Sequence, residues 1–256
     1  MPAPDRFAPC ALIPIYNHGS TIARTVRGLR AHGLPVLVVD DGSDTATRDV
    51  LDALVRDEPG MTLIRLPHNQ GKGRALGTGL RAAREAGYTH ALQIDADGQH
   101  DTADAPRFLD AARACPQALV CGCPDYDDSV PRGRLYGRYV THVCVWLETL
   151  SLAIRDSMCG YRLYPLDTTC AELDRAPVPA RMDFDTEIAV RLYWRGVPVR
   201  NLSTRVIYPE NGLSHFRMLR DNLRISAMHT RLLLGMLPRA PRLLWRHVRG
   251  EKPCPA

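Results

Sequence analysis

Lysine is almost missing from this chain of 256 residues. Only Lys72 and Lys252 occur, so nearly all of its 33 basic side chains are arginine. Aromatic residues make up 6% and are few in the basic C-terminal stretch, where no nucleic-acid-reading motif appears; nucleic acid is therefore not an expected partner. None of the eight cysteines (10, 115, 121, 123, 144, 159, 170 and 254) forms a C-x-x-C pair, and Cys121 and Cys123 are too close for zinc-ligand spacing. No apolar run reaches the ~18–20 residues a membrane span needs. The longest candidate, from Tyr139 to Ile154, is broken by His142 and Glu148. The N-terminus has no apolar signal region. A cytosolic, reduced protein with buried free thiols is the expectation. Neither a G-x-x-x-x-G-K-[ST] loop nor a G-x-G-x-x-G fingerprint occurs, which argues against a P-loop NTPase and a Rossmann dehydrogenase.

Hydrophobic residues amount to 45% and charged residues to 24%, ordinary for a soluble globular domain. The net charge of +5 is unevenly placed. From His215 onward nine basic residues face two acidic ones, so the first 214 residues are slightly acidic.

The first half alternates strand and helix signals. Apolar runs at Cys10–Ile15, Val36–Asp40, Met61–Leu66, His90–Ile94 and Ala118–Cys121 read as strands. Helical spacing predicts helices carrying Ile22, Val26 and Leu29, then Val50, Leu51 and Leu54, then Leu76, Leu80 and Ala83. Ser20 or Thr21, and Ser43 or Asp44, are the expected helix caps. Repeated strand–helix–strand units imply an α/β fold with a mostly parallel sheet flanked by helices, and ligands at the carboxyl ends of the strands. Further on, a helix is expected from Tyr136 to Ile154, another from Asp183 to Gly196, and a strand over Val197–Val206. One domain is expected over 1–212, followed by a basic amphipathic helical tail over 213–256.

Asp95-Ala96-Asp97 is the sharpest chemical feature. Two carboxylates at i and i+2 just past a buried strand repel each other unless a cation lies between them. Oxygen-only ligands suit Mg²⁺ or Mn²⁺, which usually hold substrate phosphates too. Gln99 and His100 follow closely and are available to complete the shell. Asp40 and Asp41 follow an earlier strand, where carboxylates can accept from a ribose hydroxyl or a base N–H. Asn69-Gln-Gly-Lys-Gly73 combines glycines that permit close approach to phosphate with the charge of Lys72.

Ile13-Pro-Ile-Tyr-Asn17, Val39-Asp-Asp-Gly-Ser-Asp44, Asn69-Gln-Gly-Lys-Gly-Arg-Ala-Leu76 and Ile94-Asp-Ala-Asp-Gly-Gln-His100 occur in that order. With Asp156…Cys159-Gly-Tyr-Arg162, Phe184-Asp-Thr-Glu187 and Tyr208-Pro-Glu-Asn-Gly-Leu-Ser-His215, they resemble a family 2 glycosyltransferase of GT-A fold. The dolichyl-phosphate-mannose synthase and polyprenyl-phosphate sugar transferase group is the nearest in flavour. The resemblance implies that Pro14, Tyr16, Asn17, Asp40, Asp41, Lys72 and Ala96 line a nucleotide-sugar site. It also implies that Asp95, Asp97 and Gln99 hold the metal and, through it, the diphosphate, and that Ser214, His215 and Arg217 reach that diphosphate from a late loop. Asp185 or Glu187 is the candidate base should the acceptor be a hydroxyl. His18 stands where the family often has an acidic residue.

From Arg217 to Leu237 the chain reads as one helix. Arg217, Arg220, Arg224 and Arg231 form one stripe, and Ile225, Met228, Leu232 and Met236 another. Such a helix suits an anionic membrane surface, or packs on the domain with its arginines solvated. The expectation is an inverting, metal-dependent transfer of a sugar from a UDP- or GDP-linked donor to a lipid-linked or membrane-associated acceptor, peripheral on the inner face of the cell membrane. Transfer to a soluble glycan or small-molecule hydroxyl is the alternative within the class. A nucleotidyltransferase or a non-catalytic nucleotide-sugar-binding protein is the alternative outside it.

Overall fold

Val36-Leu-Val-Val-Asp40 is buried at every position, as befits a parallel strand covered on both faces. It is β2 of a seven-stranded sheet with β1 (Pro9–Ile15), β3 (Met61–Arg65), β4 (His90–Gln93), β5 (Leu119–Asp125), β6 (Arg162–Pro165) and β7 (Val199–Arg205). The computed structural model describes residues 7–125, 132–206 and 218–249. Strand order is β3-β2-β1-β4-β6-β5-β7, and β6 runs antiparallel to both its neighbours, β4 and β5. The other pairings are parallel, as expected for a mostly parallel sheet flanked by helices.

The helices are α1 (Gly19–Ala31), α2 (Thr45–Asp57), α3 (Lys72–Glu85), α4 (Ala105–Ala114), α5 (Arg132–Thr149), α6 (Leu166–Arg175), α7 (Phe184–Trp194), α8 (Met218–Met236) and α9 (Ala240–Val248). Alternate residues of β1 point to opposite faces of the sheet. Ala11, Ile13 and Ile15 join a core layer with residues of α1, α2 and α4. Cys10 and Leu12 join the other, with residues of α3, α6, α7 and α8. Because β1, β2 and β4 are parallel, with Ile15 level with Asp40, their carboxyl ends open on one edge.

Several elements depart from the sequence reading. Lys72 is the first residue of α3 rather than part of the preceding loop. The helix expected to be capped by Ser20 or Thr21 begins at Gly19 instead, with no side-chain cap bond. Asp44 does cap α2, accepting from the Thr47 N–H at 2.8 Å. The helices α4 and α6 have no counterpart in the sequence reading. Cysteines 10, 121, 123, 144, 159 and 170 are free thiols, and Cys115 is disulfide-bonded, a pairing the cysteine spacing did not point to.

The expected boundary between 212 and 213 lies outside the described residues. Beyond it, α8 packs on α5 and α7. Met228 and Leu232 are buried in the core, with Ile225 and Met236 packed against it. The apolar stripe of the tail therefore belongs to the domain interior. Leu232→Ala should cost roughly 2–5 kcal/mol, since its cavity opens inside a shared core. A thermal melt should show one cooperative transition at a lower midpoint; an unchanged midpoint would mean that α8 adds nothing to the fold.

Candidate active site

A cavity of about 470 Å³ opens where β1, β2 and β4 end. Of the residues singled out in the sequence, Pro14, Tyr16, Asp41, Lys72, Asp95, Ala96 and Asp97 line it, with His18 beside them. Segments far apart in sequence thus converge on one strand edge.

Lys72 is the centre of the charge arrangement. Its Nζ is 2.7 Å from Asp95 Oδ1 and 2.9 Å from Asp185 Oδ2. Burial opposes the ammonium, but Asp185 and Asp95 outweigh it and raise its pKa. Burial likewise works against the Asp95 carboxylate, and Lys72 with His100 brings its pKa below the usual range. At Asp97 the same two groups pull in the same direction but are outweighed. Burial and the neighbouring Asp95 charge raise its pKa. Its Oδ1 accepts from the Gln99 backbone N–H at 3.0 Å.

Local structure fixes these groups. Gly71 (φ +104°) makes the turn into α3, and a Cβ there would stand 2.3 Å from the Ala180 carbonyl oxygen. The Asp41 carboxylate clamps the same turn, accepting from the N–H groups of Gln70 and Gly71, each at 2.7 Å. Burial raises the Asp41 pKa, against the pull of those two amides. Asp185 Oδ1 accepts from Gln93 Nε2 at 3.1 Å, and Tyr164 donates to Gln93 Oε1 at 2.9 Å. The fully buried Arg162 donates to the carbonyls of Cys159 (2.8 Å) and Asp185, tying the 156–162 loop to the start of α7. Asp156 shapes that loop by accepting from the N–H groups of Met158 and Cys159 at 2.8 Å each.

Four sequence candidates lie elsewhere. Asp40 is fully buried, accepts from the Ser43 N–H at 2.8 Å and faces Arg65 at 3.7 Å, so its carboxylate serves the turn before α2. Asn17 (φ +58°) accepts from the Asp44 N–H at 2.8 Å and braces the same turn. The Gln99 side chain does not line the cavity. Glu187 is fully buried and paired with Arg191 and Arg231, away from the cavity. Ser214, His215 and Arg217 lie outside the described residues.

The sequence reading gave no role here to Arg181, Arg220 or Arg224, which also line the cavity. Arg220 and Arg224 belong to the basic stripe expected either to meet a membrane surface or to lie solvated on the domain; in the fold, α8 turns these two arginines toward the strand edge, and Arg231 toward Glu187. Gln93 went unremarked too, although a polar residue inside an apolar strand was a usable signal.

A smaller cavity of about 170 Å³ adjoins the first across Lys72, Asp95 and Met182. Asp183, Asp185, Thr186 and the apolar Met158, Ile225 and Met228 are among the residues that line it. Asp185 lines this smaller chamber, and its partner Lys72 lines both.

Among the described residues, no three His, Cys, Asp or Glu side chains cluster as a ready-made metal site. The donor chemistry nevertheless fits a hard cation. Asp95 and Asp97 both reach the cavity, and the raised Asp97 pKa marks a carboxylate that a cation would stabilise.

Residues 10–176 match the family model described as "Glycosyl transferase family 2". An undecaprenyl-phosphate mannosyltransferase of Micrococcus luteus is 32% identical over 167 residues, 61% of this chain and 66% of that protein. A polyprenol monophosphomannose synthase of Mycolicibacterium smegmatis is 26% identical over 83% of this chain and 82% of its own. The Haloferax volcanii glycosyltransferase AglJ is 27% identical, with 82% of this chain covering 65% of that one. The chain thus spans about two thirds of two of these relatives. In fold it is similar to the Pyrobaculum calidifontis mannosyltransferase PcManGT, solved with GDP-Man and Mn²⁺ (TM-score 0.56, 18% identity, 96% of this chain and 76% of that one). It is also similar to residues 1–349 of S. aureus TarS, solved with UDP (TM-score 0.53, 15% identity, 94% and 71%). The chain belongs to glycosyl transferase family 2, and its sheet and flanking helices are of the GT-A type.

Gly160 packs so closely on Asp95 that a Cβ would lie 2.2 Å from Oδ2. Gly160→Ala should therefore displace that carboxylate. A displacement near 1 Å costs on the order of 100-fold in turnover. Steady-state kinetics beside a thermal melt would check this; full turnover would mean that the Asp95 position is not critical.

Proposed function

We propose that this family 2 glycosyltransferase moves a sugar from a UDP- or GDP-linked donor to a lipid-linked phosphate acceptor at a membrane face, with inversion at the anomeric carbon. The observation that carries this reading is the meeting of Asp95, Asp97 and Lys72 in one cavity at the strand edge, beside a smaller chamber holding Asp185. The names of the two polyprenyl-phosphate relatives support the acceptor class, and the ligands of the two structural neighbours support the donor class. Among the described residues no helix is long and apolar enough to cross a membrane, which is consistent with a peripheral encounter.

In this reading Asp95 and Asp97 hold Mg²⁺ or Mn²⁺. When bound, the cation neutralises charge on the donor diphosphate. Arg181, Arg220 and Arg224 approach that diphosphate from the other wall, and Tyr16, His18 and Pro14 receive the nucleoside. An acceptor oxygen bonds to the anomeric carbon while the bond from that carbon to the β-phosphate oxygen breaks. The electron pair leaves on the nucleoside diphosphate, whose growing charge the arginines and Lys72 offset. A phosphate acceptor is already ionised and needs no base. Asp185 then keeps Lys72 aimed at Asp95.

A second reading rests on the placement of Asp185 at the smaller chamber: a hydroxyl acceptor would lose its proton to that carboxylate. Asp185→Asn separates the two. It should lower kcat on the order of 10²–10⁴-fold with a hydroxyl acceptor and far less with a lipid phosphate.

The founding test is calorimetric titration with UDP and GDP, each with and without Mn²⁺. Metal-dependent binding of one nucleotide, lost in Asp97→Ala, is expected; no binding of either with metal present would overturn the reading. Because the Asp97 pKa is raised, protons compete with the metal there at a pH above the ordinary carboxylate range. Metal-supported affinity should thus begin to fall at that higher pH, and the same titrations across pH would reveal it.

A further inference from the structure

A larger cavity, of about 610 Å³, lies between α6, α7, α8 and α9 and shares no lining residue with the cavity at the strand edge. Six arginines line it: Arg175, Arg191, Arg195, Arg231, Arg239 and Arg242. Among the described lining residues, two carboxylates answer them. Glu187 is held by Arg191 and Arg231, and Glu172 by Arg195, with Arg191 also 3.9 Å away. Arg239 lies over the Trp194 ring at 4.6 Å and donates to the Gly235 carbonyl at 2.6 Å. Neither finds a carboxylate for it. Arg175 and Arg242 make no ion pair or hydrogen bond among the described residues. Among the described residues, three guanidinium groups therefore lack a carboxylate partner, and the lining of this one concave space carries four more positive than negative charges.

Guanidinium groups present planar forks of donors that match phosphate oxygens, and several around a cavity select a polyvalent anion. The chain beside this cavity is apolar and exposed. Leu234 and Leu237, at the end of α8 and just past it, are 63% and 61% exposed, and Leu244 and Trp245 of α9 are 55% and 56% exposed. A soluble anion has no use for such neighbours, whereas a lipid head group brings acyl chains to cover them.

We propose that this cavity is a second, non-catalytic site that takes the phosphate of an anionic lipid head group. It goes beyond the donor reading and does not depend on it. The site anchors α8 and α9 at the bilayer surface through seated phosphate, rather than through diffuse positive charge along the tail.

The test is co-sedimentation of the full chain with phosphatidylcholine vesicles, with and without phosphatidic acid. Binding is expected only with phosphatidic acid. Arg175→Glu with Arg242→Glu should weaken it by at least about tenfold. Arg48→Glu with Arg56→Glu, the same charge change on α2, should leave it intact. Thermal melts of both variants establish that they fold, and the milder Arg242→Gln should show a smaller loss of the same sign. Equal loss in the two double variants would overturn the proposal, since net charge alone would then explain binding. So would inorganic phosphate binding in calorimetry without vesicle binding, which would make the site one for a soluble anion. UDP and GDP titration of the Arg175→Glu/Arg242→Glu variant should match that of the unsubstituted chain; loss of nucleotide binding there would overturn the separateness of the two sites. Failure of the unsubstituted chain to bind nucleotide sinks the donor reading and leaves this one standing.

Discussion

One ammonium group holds together carboxylates contributed by two distant segments. Without Lys72, the Asp95 and Asp185 carboxylates would face each other with no cation between them, and their like charges would repel. The bridge places demands on everything around it. Lys72 opens α3, so the turn before it must be tight, and Gly71 and Asp41 make it so. Asp185 opens α7, which Gln93, Tyr164 and Arg162 hold against the sheet. Asp95 needs the bare backbone of Gly160 beside it. The buried polar network under the site is therefore a support for one charge geometry.

Much of this organisation was legible in the chain. The strands β1, β2 and β4 announce themselves because runs buried on both faces are largely apolar. The carboxylates after β2 and β4 stand out because charge is costly there unless something uses it. What was illegible has a common cause. Asp40 and Asp41 are adjacent and chemically alike, but consecutive residues leave a strand end in opposite directions. One clamps a turn at the cavity wall, the other lies beneath it. Asp185 and Glu187 have the same ambiguity: two residues on a helix differ by about 200° in direction, so they cannot share a site. The antiparallel β6 was hidden because four residues carry too little periodicity.

The C-terminal helices change meaning in the fold. Their apolar stripe closes one core layer, and their arginines divide between two cavities on either side of α7. A stripe that resembles a uniform basic face in projection is, in space, a partition of charge: Arg220 and Arg224 toward the strand edge, Arg231 toward Glu187, Arg239 and Arg242 beyond. Met228 and Leu232 of α8 and Leu243 of α9 share a core layer with the sheet.

The scarcity of lysine has a chemical corollary. Amine-directed reagents attack only the deprotonated form, and Lys72, the one lysine within the described residues, is held protonated by its two carboxylates. Among the described residues, the folded chain therefore offers acylating reagents little to react with. Reactivity at Lys72 becomes a reporter of the charge bridge itself, silent while the bridge stands and audible once either carboxylate lets go.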